Sequence, residues 1–332
     1  MSCYNIAVII PTLNEEKFIA QCLDSVISQS YPIEDIDLMV IDGGSSDKTR
    51  DIIHNYHEKY PNIRLIDNPG KIQSIAFNIG VNNSDAPYIV RLDAHAIYDR
   101  EYINLCYELL RSNQLYGNVG GIWNICPQSS KFSSKVNAIV NQLKFGIGGA
   151  AFRVGAEAGP VDTVPFGAFP RNVILELGGM REDLARGEDN EFNSRIKKAG
   201  YVIYLDPRIK CTYYARPDLK SSCRQMFNNG VSIGSLFHID RHAIGIRHII
   251  PLIFVVSLLL GIIISIITPS LWWIPVAIFG LYLIAAIIAS IDACTKFGWK
   301  YFFILPVYFF CIHVSYGIGT MKGLFKRYKN KK

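Results

Sequence analysis

Two long apolar stretches without a charged residue constrain this chain most, because each is long enough to cross a lipid bilayer. They are residues 249–267 and 272–291 of the 332-residue chain. A helix of about 20 apolar residues spans the hydrocarbon core of a membrane. Only residues 268–271 join the two stretches, which predicts a tight helical hairpin. Trp272 and Trp273 would lie at a membrane interface, where tryptophan is enriched.

A third stretch, residues 301–319, has about the length of a span but is rich in aromatic residues and contains Pro306 and His313. The basic tail that follows, residues 320–332, contains no acid. Three full crossings from a cytoplasmic first half would place this tail outside, against the positive-inside tendency. We therefore expect either a third crossing or a re-entrant or interfacial helix, and the sequence leaves both open. Beside apolar spans, the tail is expected to face anionic lipid, and no nucleic-acid partner is predicted.

The cysteines and the first residues bear on the compartment. The eight cysteines form no C-x-x-C pair and no zinc-ligand spacing, which favours a reducing compartment without a disulfide framework. Residues 1–16 lack a basic segment followed by an apolar core, so no cleavable signal peptide is expected. We predict a multi-pass protein of the cell membrane with a cytoplasmic catalytic domain. Its predicted segments are a catalytic domain at 1–235, a linker at 236–248, a membrane region at 249–319 and the tail.

The first hundred residues alternate short apolar runs with amphipathic segments, which is typical of βαβ units. In chain order, these runs and segments are 6–11, 14–29, 37–42, 49–60, 62–68, 72–84 and 87–93. The alternation predicts an α/β fold with a mostly parallel sheet covered on both faces. Ligands bind at the carboxyl ends of such strands, and the loops at 11–15, 42–47 and 93–95 all follow strands. The Gly-rich region 117–180 predicts a long active-site loop.

Polar residues follow the first two predicted strands. Asp42, in VIDGGSSDKT, is either a polar strand end or a carboxylate that accepts an N–H of a nucleotide base. Gly43 and Gly44 would allow close approach of the backbone. Asn14 and Glu15, in PTLNEE, either cap the helix that follows or help to bind a nucleotide at its N-terminus. Both interpretations stay open at each position.

Asp93 and His95, in RLDAHA, are candidate metal ligands. A hard cation that binds diphosphate oxygens needs one or two carboxylates and open positions for substrate. Imidazole is a softer ligand that suits Mn²⁺ better than Ca²⁺. A D-x-H spacing often occurs by chance, so this pair depends on support from the other motifs.

Asp189, in GEDNE, is a candidate general base. It falls with Glu188 in the first turn of a helix predicted over 186–200, where carboxylates suit the helix dipole. An acidic first turn is also a common surface feature. A base near a metal-bound diphosphate would fit displacement at the anomeric carbon of a sugar. The residues that would either contact phosphate or lie on lipid before the first span are Arg216, Arg224 and Gln225.

Four motifs together resemble the processive-type family-2 glycosyltransferases, which have the GT-A fold. VIIPTLNEE, MVIDGGSSDKT, YIVRLDAHA and GEDNEF occur in the order and spacing of that family. The chain is most similar to the succinoglycan-type exopolysaccharide glycosyltransferases, which carry D-A-H in the metal motif, a VDTVPFGAF segment and C-terminal membrane helices. That segment is residues 161–169 here. The resemblance covers residues 5–235, with weaker similarity at 313–319.

The resemblance implies a role for each matching position. The residues that would bind the donor are Pro11, Thr12, Asn14, Glu15, Asp42, Lys71, Asn78 and Asp93. Asp93 would also hold a divalent metal, Mn²⁺ or Mg²⁺, with His95 at the position of the usual second carboxylate. Asp189 would be the base of an inverting, single-displacement transfer. Weaker contacts to the acceptor or to phosphate are implied for Glu188, Arg171, Arg216, Arg224 and Gln225.

One departure from the family bears on the product. Processive members carry a Q-x-x-R-W element, whereas here Gln225 is followed by Met-Phe-Asn-Asn. We therefore expect transfer of a single sugar from a nucleotide-sugar, with UDP as the first candidate, in exopolysaccharide or cell-surface glycan synthesis. The expected acceptor is a polyprenyl-diphosphate-linked or other glycan. The alternative is a membrane-tethered nucleotide-binding scaffold with a degenerate transferase domain. A small transporter is disfavoured, because the apolar segments hold no ionisable pathway residue besides His313.

Overall fold

The computed structural model describes residues 4–326. Residues 327–332, which hold much of the predicted basic tail, and Cys3 lie outside the described residues. The described chain divides into two compact units. The first unit consists of residues 4–124 and 155–213, and the second of residues 125–154 and 214–326.

Strands and helices are interspersed through the first two thirds of the chain. In chain order they are β1 (Ile6–Thr12), α1 (Ile19–Ile27), β2 (Ile36–Asp42), α2 (Thr49–Lys59), β3 (Ile63–Asp67), α3 (Gln73–Asn82), β4 (Tyr88–Arg91), β5 (Ala96–Tyr98), α4 (Tyr102–Ser112), β6 (Tyr116–Pro127), α5 (Phe132–Asn141), α6 (Lys144–Ile147), α7 (Ala151–Val154), β7 (Gly159–Pro160), β8 (Ala168–Pro170), α8 (Arg171–Glu176), α9 (Glu188–Lys198) and β9 (Val202–Ala215). The remaining helices are α10 (Leu219–Leu236), α11 (Ile246–Ile267), α12 (Trp273–Phe297) and α13 (Leu305–Leu324).

Four neighbouring strands form a parallel half-sheet. β1 lies between β2 and β4, and β2 pairs with β3. The register places Thr12 beside Asp42 and Asp42 beside Asp67, so these strands finish at one edge. Beyond β4 the order is β8-β6-β9-β5, with β7 paired to β9. The pairs β4–β8, β8–β6, β9–β5 and β7–β9 are antiparallel. The predicted α/β fold is confirmed, with a mixed sheet.

Burial explains the local sequence patterns. Every residue of β1 and β2 is buried, which is why both strands are almost continuously apolar. In α1 the predicted face, including Cys22 and Leu23, is buried. The helix begins at Ile19 and not at the predicted residue 14, because Asn14 adopts a left-handed conformation with a φ of 56°, which an α-helix does not accommodate.

The Gly-rich region 117–180 is not one long loop, which corrects the prediction from its composition. It contains most of the long strand β6, helices α5 and α8, and strand β8. A Cβ on Gly121 of β6 would lie 1.7 Å from Ile209 O of β9. Glycine is therefore required at this position because two strands approach closely.

The two predicted spans lie in α11 and α12. Among residues 4–326, these are the helices that are long and apolar enough to cross a membrane. A 3₁₀ turn, Pro269–Leu271, joins them. α10 ends at Leu236 and α11 begins at Ile246, so the predicted linker 236–248 is shortened to residues 237–245, which contain one 3₁₀ turn at Arg241–Ala243.

The third predicted span, residues 301–319, forms most of α13, which is not one of the two membrane-length apolar helices. α13 packs parallel to α10: Gly319 lies against Phe227, and Gly323 lies against Val231. A Cβ at either glycine would lie about 2 Å from the opposing carbonyl oxygen. The two backbones are therefore in direct contact.

Helices α5 and α10 belong to the second unit, whereas the sequence analysis placed them in a catalytic domain of residues 1–235. The physical reason is apolar burial. Val136 and Ile139 of α5 and Met226 of α10 share one core with Leu305 and Phe309 of α13.

Candidate active site

Asn14 binds the loop that follows β2, Glu15 binds the first residue of α2, and neither side chain caps α1. Asn14 N donates to Ser45 Oγ (2.8 Å), and Ser46 N donates to Asn14 Oδ1 (2.8 Å). Glu15 N donates to Thr49 Oγ1 (2.8 Å). The first turn of α1 has no side-chain cap. The capping alternative is therefore wrong, and the loops after β1 and β2 form one ordered rim.

Asp42 lies at this rim with both carboxylate oxygens engaged. Oδ2 accepts hydrogen bonds from Gly44 N (3.1 Å) and Arg50 Nη1 (2.7 Å), and Oδ1 accepts one from Ser45 Oγ (2.5 Å). Burial opposes ionisation, but the hydrogen bonds from Ser45 and Arg50 outweigh it and hold the pKa of Asp42 below its usual range. Arg50 Nη1 also lies 2.7 Å from Asp67 Oδ1. Asp42 thus orders its own loop, and its contact with a base stays a prediction.

Three other predicted donor residues lie at the same rim. Pro11 and Thr12 are the last, buried residues of β1, and Thr12 is paired with Asp42. Lys71 adopts a left-handed conformation with a φ of 62°. Its Cα lies 3.4 Å from where a Cβ on Gly43 would be. The structure therefore brings these residues together, as the sequence predicts for a ligand site at the carboxyl ends of strands.

Asn78 has a different role. Its Nδ2 donates to Met180 O (2.8 Å), and its Oδ1 accepts from Met180 N (2.9 Å). On the same helix, Ser74 Oγ donates to Leu184 O (3.1 Å). Helix α3 therefore holds the loop that precedes α9, and the occupied Asn78 amide argues against the predicted contact with the donor.

Asp93 and His95 follow β4 and reach the loop after β1. His95 Nδ1 lies 3.1 Å from Glu15 Oε1. The side chains of Asp93 and His95 are 14% and 29% exposed, so both reach solvent. A carboxylate that accepts the Nδ1 proton of a histidine leaves the Nε2 lone pair for a metal. Glu15 thus fits a role in orienting His95.

These side chains fit a divalent cation whose remaining ligands come from substrate. Asp93 offers a carboxylate and His95 an imidazole, and Mn²⁺ or Mg²⁺ bound to a diphosphate takes its other ligands from phosphate oxygens and water. Among residues 4–326, no group of three or more His, Cys, Asp or Glu side chains is arranged to hold a metal. Asp93 and His95 supply two ligands, which leaves coordination positions for phosphate oxygens and water.

Glu188 and Asp189 begin α9, as predicted. Glu188 is 4% exposed, and burial together with the charge of Asp189 raises the pKa of Glu188 to about 7. The Asp189 side chain is 43% exposed. Asp189 is therefore the member of this pair that an acceptor can reach.

Arg91 joins the two acidic centres and was not among the predicted site residues. It ends β4 with 3% of its side chain exposed, donates through Nη1 to Asp189 Oδ1, and lies 3.4 Å from Asp93 Oδ1 through Nη2. A buried charge requires partners. The arginine in the buried strand YIVR was therefore a usable signal in the sequence.

The predicted acceptor arginines do not join this cluster within the first unit. Arg171 N donates to Pro87 O (2.8 Å), and Arg171 Nη2 lies 3.8 Å from Asp85 Oδ1. Arg171 is thus at the amino end of β4, opposite Asp93, which corrects its predicted contact. Arg216, Arg224 and Gln225 belong to the second unit, and their predicted phosphate contacts stay predictions.

Known proteins are similar to this chain in sequence. The chain is 29% identical over 328 residues to the dolichyl N-acetyl-alpha-D-glucosaminyl phosphate 3-beta-D-2,3-diacetamido-2,3-dideoxy-beta-D-glucuronosyltransferase of Methanococcus voltae, with 97% of each chain covered. It is 29% identical over 249 residues to the succinoglycan biosynthesis protein ExoA of Rhizobium meliloti (strain 1021), with 74% of each chain covered.

A solved structure identifies the fold. The mannosyltransferase PcManGT from Pyrobaculum calidifontis, in complex with GDP-Man and Mn²⁺, matches with a TM-score of 0.60 at 17% identity, over 95% of this chain and 87% of that one. This likeness supports the GT-A fold that the motifs predicted. The model of the family described as Glycosyl transferase family 2 matches residues 7–176. The chain therefore belongs to glycosyl transferase family 2.

Proposed function

We propose that this glycosyltransferase is a membrane-attached, inverting enzyme that moves one sugar from a nucleotide-sugar to a lipid-linked acceptor. The observation that carries the proposal is the pairing of Asp189 and Asp93 through Arg91. This arrangement brings a solvent-accessible carboxylate close to a second carboxylate at the carboxyl ends of the parallel strands, where nucleotides bind in open α/β sheets.

The proposed reaction is a single displacement. The oxygen of an acceptor hydroxyl attacks the anomeric carbon, the bond from that carbon to the diphosphate breaks, and the nucleoside diphosphate leaves with the bonding electrons. Asp189 takes the hydroxyl proton as general base. A divalent metal, when bound, would neutralise charge on the diphosphate, and Asp93 with His95 would hold it. Because attack and departure occur on opposite faces, the configuration of the sugar inverts.

The donor and the acceptor follow from different sources. The motif resemblance makes a UDP-sugar the first candidate, and the GDP-Man complex of PcManGT makes GDP-sugars the second. The name of the Methanococcus voltae relative gives that protein a dolichyl-phosphate-linked sugar as its acceptor. An acceptor of this kind stays in the bilayer, which is consistent with apolar helices α11 and α12 in the same chain.

We further propose a topology of two crossings. α11 and α12 form a hairpin, so the chain returns to the side from which it entered. α13 packs along α10, which contains Lys220 and Arg224. A helix paired with such a polar partner fits an interfacial position. The basic tail would then lie on the cytoplasmic side, in agreement with the positive-inside tendency.

The decisive experiment measures nucleotide release from UDP-glucose, UDP-N-acetylglucosamine and GDP-mannose with and without Mn²⁺, using a short-chain polyprenyl-phosphate-linked N-acetylglucosamine as acceptor. We expect Asp189→Asn to lower turnover by about 10²–10⁴-fold while nucleotide binding stays nearly intact. Asp93→Ala should remove the Mn²⁺-dependent part of donor binding.

Asp24→Asn is the matched control. Asp24 lies on the outer face of α1, where it accepts a hydrogen bond from Tyr56 OH (2.6 Å), so this variant should turn over like the wild type. Near-normal turnover of Asp189→Asn would refute the assignment of Asp189 as the general base. Nucleotide binding by the wild type without any turnover would favour the alternative, a nucleotide-binding scaffold.

A further inference from the structure

Arg91 is a buried cation that contacts three different polar groups. Nη1 donates to Asp189 Oδ1 at the start of α9. Nη2 lies 3.1 Å from Gln73 Oε1 at the start of α3 and 3.4 Å from Asp93 Oδ1. Nε is buried and has no hydrogen-bond partner among residues 4–326. The guanidinium therefore connects the proposed base with the carboxylate on the diphosphate side.

Arg64 shows how a structural arginine is satisfied in the same unit. Its Nε and Nη2 pair with the two carboxylate oxygens of Asp37 at 2.9 and 2.8 Å, and Nη2 also donates to Asn83 O at 2.9 Å. Arg91 instead makes single contacts with separate groups, and its buried Nε–H is unbonded within the described part of the chain, which costs stability. Proteins violate such local rules mainly at functional sites.

The charges around Arg91 need compensation. Asp93, Asp189 and the buried Glu188 all interact with its guanidinium. Nearby like charges favour protonation of a carboxyl group, and a protonated Asp189 could not accept a proton. A carboxylate has two acceptor oxygens. Arg91 engages Oδ1 of Asp189, which leaves Oδ2 for the acceptor hydroxyl.

We propose that Arg91 is a positioning residue that directs the Asp189 carboxylate toward the acceptor hydroxyl and fixes its distance from Asp93. This role rests on the proposed function, in which Asp189 is the base. In the transfer, the proton of the acceptor O–H goes to Asp189 and the bonding electrons of the broken sugar–diphosphate bond go to the leaving group. Arg91 neither gives nor takes a proton.

A double-mutant cycle between positions 91 and 189 tests this role in the full-length chain, with the donors and acceptor named above. We expect Arg91→Met alone to lower kcat by about 100-fold or more, with KM for the donor nearly unchanged at saturating Mn²⁺. In the Asp189→Asn background the same change should cost no more than about twofold, because residues that act as a unit are not additive. Arg91→Lys keeps the positive charge but loses the contacts of the planar guanidinium, so its kcat should lie between those of the wild type and Arg91→Met.

Two controls separate this role from a structural one. Arg64→Met removes an ion pair elsewhere in the first unit and should keep the wild-type kcat. Thermal unfolding identifies variants that fail to fold, and Arg91→Lys replaces Arg91→Met in the cycle if the latter is unfolded.

A second measurement needs neither donor nor acceptor: binding of Mn²⁺ alone, followed by electron paramagnetic resonance. Removal of the Arg91 charge leaves Asp93 and Asp189 uncompensated, so Arg91→Met should bind Mn²⁺ more tightly than the wild type. Adding Asp189→Asn to Arg91→Met should reverse much of this increase in Mn²⁺ affinity. Independent, additive losses in the cycle, or an unchanged Mn²⁺ affinity in Arg91→Met, would overturn the role of Arg91. Full activity of Asp189→Asn would instead refute the base assignment, and the role of Arg91 with it.

Discussion

Replacement of Gly319 by alanine tests whether α13 lies directly against α10. A Cβ at this position would lie 2.1 Å from Phe227 O. Carbon–oxygen contacts between helices are normally about 3.3–3.6 Å, so the two helices would have to separate by about 1 Å. Three more glycines line the same seam, each with a Cβ position 2.2 Å from a carbonyl oxygen of the other helix. They are Gly230, Gly234 and Gly323.

The expected loss follows from opposing terms. Overpacking costs about 1–3 kcal/mol, and each weakened Cα–H···O contact along the seam adds about 0.5–1 kcal/mol. Alanine in place of glycine stabilises the helix by up to about 1 kcal/mol through its higher helix propensity. We therefore expect Gly319→Ala to lower the free energy of unfolding by about 1–3 kcal/mol.

Gly280→Ala, in α12, is the matched control, because no heavy atom of residues 4–326 lies within 4 Å of a Cβ at that position. It gains the same helix propensity without a clash. The assay is thermal unfolding of both variants in one detergent, followed by tryptophan fluorescence. If Gly319→Ala unfolds at the same temperature as Gly280→Ala or at a higher one, α10 and α13 do not touch along this seam. A full crossing of the bilayer by α13 would then be favoured.

Two further predictions concern topology and pH. A protease-cleavable tag after residue 332 should be cut in inverted vesicles and protected in spheroplasts. A tag inserted at 268–271 should give the reverse result. Cleavage of both tags in spheroplasts would indicate three crossings. The raised pKa of Glu188, about 7 against an ordinary 4.5, means that the folded state holds this proton more tightly than the unfolded state. The protonated Glu188 therefore contributes stability to the fold that is fully present below pH 4.5 and is lost as the pH rises through 7. Glu188→Gln should be more stable than the wild type at pH 8, by up to about 3 kcal/mol. This difference in the free energy of unfolding should narrow toward pH 5. An equal gap at both pH values would contradict the assigned pKa.

Features encoded in short windows were predictable from the sequence. β1 and β2 are almost continuously apolar and each leads into a polar loop, so both the buried strands and the rim at their carboxyl ends could be inferred. The start of α9 at Glu188 followed in the same way from an acidic turn after a glycine. In each case one segment carries the whole signal.

Features that depend on long-range packing were not predictable. Asn14 looked like a helix cap, but its partners, Ser45 and Ser46, lie in another loop. Asn78 looked like a donor contact, but Met180 occupies its amide from about a hundred residues away in the chain. A polar side chain shows in the sequence that it needs a partner, and only the fold determines which partner it has.

The histidine of the D-A-H motif illustrates both cases. Its place two residues after Asp93 is visible in the sequence, and the exchange of an expected carboxylate for an imidazole removes a negative charge from the predicted metal site. In the structure Glu15 Oε1 lies 3.1 Å from His95 Nδ1. A carboxylate is therefore still present, but it contacts the imidazole and does not replace it. Hydrogen bonding of this kind makes an imidazole a stronger ligand. Arg91 balances the acidic groups on the opposite side, where it contacts Asp93 and Asp189. The first unit therefore keeps negative charge around Asp93 and an accessible carboxylate at Asp189, although the D-A-H motif differs from the usual pair of acids.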